Sequence, residues 1–128
     1  MLTNTLCKAE RLRSKILIGK LFSGDSRSFS VYPLRTVYMP VEPGVDYTVT
    51  ILISVSKRRF KRAVKRNLIK RQIREAYRKN KHELIRKLDE QGKALAIAFI
   101  YVADDIKPTA EIEEKLKTAL ARIQDKME

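Results

Sequence analysis

The sequence predicts a small α+β sandwich, one sheet packed by helices in the order helix, strand, strand, helix, strand, helix. Three observations carry this. Residues 62–80 place apolar side chains at helical spacing. Residues 94–102 form one short, nearly all-apolar run, as a central buried strand requires. Residues 109–123 repeat the helical spacing after a Pro-Thr start.

At 128 residues the chain is expected to be a single domain, 1–128, with residues 1–7 loose. From Lys8 to Phe22 a short helix is expected, with Leu12, Ile16 and Gly19 on one stripe and Leu17 and Leu21 beside it. Ser23-Gly24-Asp25-Ser26 stops it. Residues 28–39 alternate, with Phe29 and Val31 on one side and Ser28, Ser30 and Tyr32 on the other, and read as one strand that Pro33 bends or confines to an edge. Pro40 to Asp46 reads as the loop of a long hairpin into a second strand, Tyr47 to Val55. There Val49, Ile51, Ile53 and Val55 should face the core. A helix over about Arg62 to Asn80 follows, then a turn or two through Leu84, Ile85 and Leu88 that Gly92 ends. Thr109 is the expected N-cap of the closing helix, whose stripe is Ile112, Leu116, Ala119, Leu120 and Ile123.

The formal net charge is +13, and it is unevenly placed. Residues 1–81 hold 20 Lys/Arg against 5 Asp/Glu; residues 82–128 hold 8 against 10. Self-repulsion on this scale is best tolerated beside a polyanion, so nucleic acid is the first candidate partner and an anionic membrane the second. The densest stretch is Lys57 to Arg78, with eleven Lys or Arg and Glu75 as its only acid. At about 100° per residue, Ile69, Ile73, Ala76 and Tyr77 fall on one face, and Asn67, Lys70, Arg71, Arg74 and Arg78 on the other. One side can seal onto a core while the other holds a row of cations. Ser30, Tyr32, Thr50, Leu52 and Ser54 would offer a strand face beside that helix, with Phe22 near, as a groove for unpaired nucleotides.

Other chemistry finds little support. Cys7 is the only cysteine and His82 the only histidine, which excludes an internal disulfide and a multi-histidine metal site. Asp104-Asp105 reads as a loop and cap pair. No glycine-rich phosphate loop opens a helix. No run approaches the roughly 20 apolar residues of a spanning helix, and the N-terminus lacks a signal-peptide pattern, so a cytoplasmic protein is expected.

Ser54-Val55-Ser56-Lys57, then Arg62-Ala63-Val64-Lys65-Arg66-Asn67-Leu68-Ile69-Lys70-Arg71-Gln72-Ile73-Arg74-Glu75-Ala76-Tyr77, resembles the signature of the protein subunit of bacterial ribonuclease P. Two positions depart from the family pattern: Ile18 replaces an aromatic four residues before Phe22, and Leu68 replaces the last residue of an Arg-Asn-Arg triplet. The resemblance implies a left-handed βαβ crossover, an exception to the usual hand. It implies binding to a catalytic RNA that, with magnesium held mainly by that RNA, removes the 5′ leader of precursor tRNA, in a 1:1 ribonucleoprotein. Arg62, Arg66, Asn67, Lys70, Arg71, Arg74 and Arg78 would face the catalytic RNA, and Phe22, Tyr32, Ser54 and Lys57 would line the leader cleft. No protein residue would be catalytic. A general RNA-binding module, of ribosomal or chaperone type, and a DNA-binding protein with its basic helix in a major groove are the competing readings.

Overall fold

The computed structural model of the chain describes Gly19, residues 26–41 and residues 49–126. Its elements are β1 (Arg27–Val31), β2 (Leu34–Val41), β3 (Val49–Val55), α1 (Ala63–Asn80), α2 (His82–Gln91), β4 (Ala94–Tyr101) and α3 (Thr109–Lys126). The expected helix over 8–22, apart from Gly19, lies outside the described residues.

The four strands form one sheet in the order β1-β2-β4-β3. The run expected as a single strand over 28–39 is a hairpin. It folds back at Tyr32-Pro33, so that Val31 pairs with Leu34 and Arg27 with Tyr38. Pro33, with no N–H to give a ladder, sits in the turn rather than in a bent strand. Its carbonyl accepts a hydrogen bond from Val102 N at 2.9 Å. Pro40 and Val41, expected in a loop, continue β2 opposite Leu95 and Ala94. The described pairing with β1 reaches only to Tyr38, short of Pro40.

The long hairpin expected between the second and third runs does not form. β4 lies between β2 and β3, antiparallel to β2 and parallel to β3. Seven of its eight residues are buried, and only the sheet centre covers a strand on both faces. Burial of Ala94–Tyr101 therefore outweighs the short connection.

All three described helices contribute to the core on one face of the sheet. Leu34 and Tyr38 of β2, Val49, Ile51 and Val55 of β3, and Leu95, Ile97, Phe99 and Tyr101 of β4 meet Ile69, Ile73, Ala76 and Tyr77 of α1, Leu84, Ile85 and Leu88 of α2, and the expected stripe of α3. The opposite face gathers a smaller cluster, Val37, Met39, Ala96 and Ala98, with Val41, Leu52 and Ile100 packed against it.

The segment after Asn80 is a full ten-residue helix rather than a turn or two. It ends as expected at Gly92, whose φ of 66° is left-handed; the N–H of Lys93 closes onto Leu88 O at 3.0 Å. A Cβ at Gly92 would touch nothing within 4 Å, so a substitution there costs backbone strain alone. Gly92→Ala should lower stability by about 1 kcal/mol in urea unfolding, and Gly92→Asn by less. Thr109 is not the N-cap. Pro108 holds that position, its carbonyl accepting from Ile112 N at 3.1 Å. The Thr109 hydroxyl instead accepts from Gln72 Nε2 at 3.0 Å, joining α3 to α1.

Candidate nucleic-acid interface

The basic helix is seated by its apolar rail. Ile69, Ile73 and Tyr77 are fully buried, and the Tyr77 ring lies 6.2 Å from that of Phe99 on the central strand. Burial of side chains this size stabilises by roughly 1.5–3 kcal/mol each, which fixes the rotation of α1 and hence the direction of its polar face.

That face begins in the loop between β3 and α1. Phe60 is buried, its ring 5.9 Å from Tyr101, and its N–H donates to Ser56 O at 3.1 Å. Arg59 reaches across to the end of β4, where one guanidinium nitrogen donates to Val102 O and, at 2.9 Å, to Asp104 Oδ1. From the other side Arg66 donates to Phe60 O at 2.8 Å and Lys61 O at 2.9 Å. The loop is thus fastened by one ring and two arginines. Lys57, Arg58, Lys61, Arg62 and Lys65 stand exposed along it and into the first helical turn. Arg62 occupies the N-cap, no side chain caps the helix, and its first turn holds no acid. The positive end of the helix dipole therefore adds to the cations. A pocket of about 480 Å³ opens here, lined by Arg59, Phe60, Lys61, Arg62, Lys65, Asp104, Asp105 and Ile106.

The expected RNA-facing residues divide into three groups. Arg62, Asn67 and Arg71 are exposed. Lys70 and Arg74 are half-buried. Arg66 and Arg78 have structural partners: Arg66 holds the loop, and Arg78 pairs with Glu75 at 2.8 Å. Hydrogen bonding from Arg78 holds the Glu75 carboxyl below the usual carboxylate range, and the same bond raises Arg78. Arg66→Ala should release the loop. Faster amide exchange at Phe60 is expected, with a stability loss of about 1 kcal/mol.

The four expected cleft residues are less closely grouped. Phe22 lies outside the described residues. Lys57 is exposed just beyond β3. Ser54 pairs opposite Ile100 and alternates with Val55, so it stands on the sheet face away from α1. Tyr32 is exposed at the β1–β2 turn, with Lys107 Nζ 5.5 Å from its ring. Lys107 belongs to a knot at the entry to α3: the Tyr101 hydroxyl donates to Asp105 O at 2.6 Å and accepts from Lys107 N at 3.0 Å. Burial pushes the Tyr101 phenol up, and hydrogen bonding to Asp105 raises Lys107. On the face that carries Ser54, Leu52 and Ile100 are half-buried neighbours; a strand that is apolar throughout gives no sign that one of its residues is partly open.

Asp104 and Asp105 are exposed carboxylates held by Arg59 and Lys107. Among the described residues no three His, Cys, Asp or Glu side chains gather as metal ligands. No described helix is long and apolar enough to cross a membrane.

A family profile described as Ribonuclease P matches residues 6–124. The chain belongs to the ribonuclease P protein family. It is 44% identical over 119 residues to the ribonuclease P protein component of Porphyromonas gingivalis strain W83, covering 92% of this chain and 85% of that one. It is 38% identical over 132 residues to that of Chlorobaculum tepidum, covering 93% and 85%. Among solved structures, the Staphylococcus aureus RNase P protein superposes with a TM-score of 0.71 at 25% identity, covering 91% of this chain and 96% of that one. The protein from Thermotoga maritima gives 0.65 at 26%, covering 88% and 96%. The mixed four-stranded sheet with its basic helix is thus the ribonuclease P protein fold.

Proposed function

We propose that this ribonuclease P protein binds the catalytic RNA through the polar face of α1 and assists magnesium-dependent removal of the 5′ leader from precursor tRNA. The observation that carries this reading is the seated helix. Its buried rail fixes the direction of Arg62, Asn67, Lys70, Arg71 and Arg74, and the fastened loop before it adds Lys57, Lys61 and Lys65. Cations carried on a backbone already fixed in direction suit a folded polyanion. The leader would run past Lys57 along the sheet face that carries Ser54, with Phe22 contributing from the preceding segment. Tyr32, beside Lys107 at the same end of the sheet as Ser54, would contribute its ring. The RNA would hold the magnesium and carry out the cleavage. The polypeptide would neutralise phosphates and position the substrate in a 1:1 cytoplasmic particle.

Reconstitution tests this. Added to ribonuclease P RNA at low magnesium, the protein should restore 5′ cleavage of precursor tRNA. RNA binding without stimulation would instead identify a general RNA-binding module. Cleavage by the polypeptide alone would overturn the assignment of chemistry to the RNA.

A further inference from the structure

Three large apolar side chains stand exposed among the described residues, and two of them lie on the basic helix: Val64 is 79% exposed and Leu68 39%. They are four residues apart, so their side chains adjoin on one stripe. That stripe continues to Arg71 and lies about 180° around the helix from the buried Ile73. Lys65 flanks it on one side and Asn67 on the other, and with Arg71 all three are exposed. A partner offering only phosphates would gain nothing from an aliphatic ridge set among cations. Duplex RNA offers such a surface phosphates and 2′-hydroxyls, with its base faces stacked away. An unpaired nucleotide offers both an apolar base face and flanking phosphates.

We propose that Val64 and Leu68 form an aliphatic platform for one unstacked base of the RNA partner, with Lys65 and Arg71 taking the neighbouring phosphates. This rests on the reading of α1 as the RNA-binding face, and names the kind of RNA element that face selects.

The test compares Val64→Ser/Leu68→Ser with Arg71→Ala in binding ribonuclease P RNA across a potassium chloride series. Both ridge residues are exposed, so circular dichroism should show an unchanged fold. The double variant should lose roughly tenfold in affinity with an unaltered salt slope, because no charge is removed. Arg71→Ala should reduce the slope by a little under one unit. A photo-crosslinker replacing Leu68 should map to an unpaired nucleotide. Affinity of the double variant within twofold of the parent protein, or crosslinks confined to duplex, would overturn the platform while leaving α1 as the RNA face if Arg71→Ala still lowers the slope. If Arg71→Ala changes neither affinity nor slope, the RNA-face reading falls and the platform with it.

Discussion

Phe99→Ala should destabilise the protein by about 3–5 kcal/mol. The ring is fully buried at the middle of β4, opposite Thr36 on one side and Ile53 on the other. It also meets Tyr77 from α1. Removing it leaves a void beneath a strand paired on both sides, which cannot collapse to fill it. The loss is large against the whole stability of a small domain, typically 5–15 kcal/mol. Urea unfolding should show a lower midpoint with an unchanged slope. An undiminished midpoint would mean that β4 is not the centre of the core. Because Tyr77 loses its partner, the variant should also bind RNA less tightly in proportion to the unfolded fraction, and added RNA should restore folding by mass action.

Replacing Arg62, Lys65 and Arg71 together by Ala should leave stability nearly unchanged, since all three are exposed. Affinity for ribonuclease P RNA should fall by about a hundredfold at ~0.15 M salt, with the salt slope reduced by about two units. Lys117→Ala is the comparison. That lysine is exposed on α3, 3.9 Å from Glu113, and its loss should move the slope little. A triple variant that binds as tightly as the parent would place the RNA on another surface.

The rail of α1 was legible because burial of a helix face leaves a 3.6-residue period in the sequence. Ile69, Ile73, Ala76 and Tyr77 are the four buried residues of that helix, as spacing alone indicated. The same holds for α3, and for β3 except that Ile53 is half-buried, packed against the core that Val49, Ile51 and Val55 enter. Arg66 was not legible. At about 100° per residue it falls in line with the buried Ile73 and not with Asn67, but nothing in its spacing says that Phe60 O and Lys61 O will face its guanidinium. Tyr32 and Ser54 were grouped because both read as positions outside the apolar set of a strand. The chain reverses at Pro33, which sets Tyr32 at a turn beside Lys107 and leaves Ser54 on the sheet. The exposure of Val64 follows from the same periodicity, which sets it opposite Ile73.

The sequence by itself determined the helical spans of α1 and α3 with their apolar sides, the extended runs of β3 and β4, and that the positive charge gathers before residue 82. These are local properties, set by periodicity and side-chain chemistry within a few residues. Only the tertiary structure decided that β4 separates β2 from β3, that Arg59 and Arg66 fasten the loop ahead of α1, and which cations remain exposed. Those outcomes depend on contacts between residues far apart in the chain, where burial on both faces of a strand outweighs the short connection, and no local pattern records them.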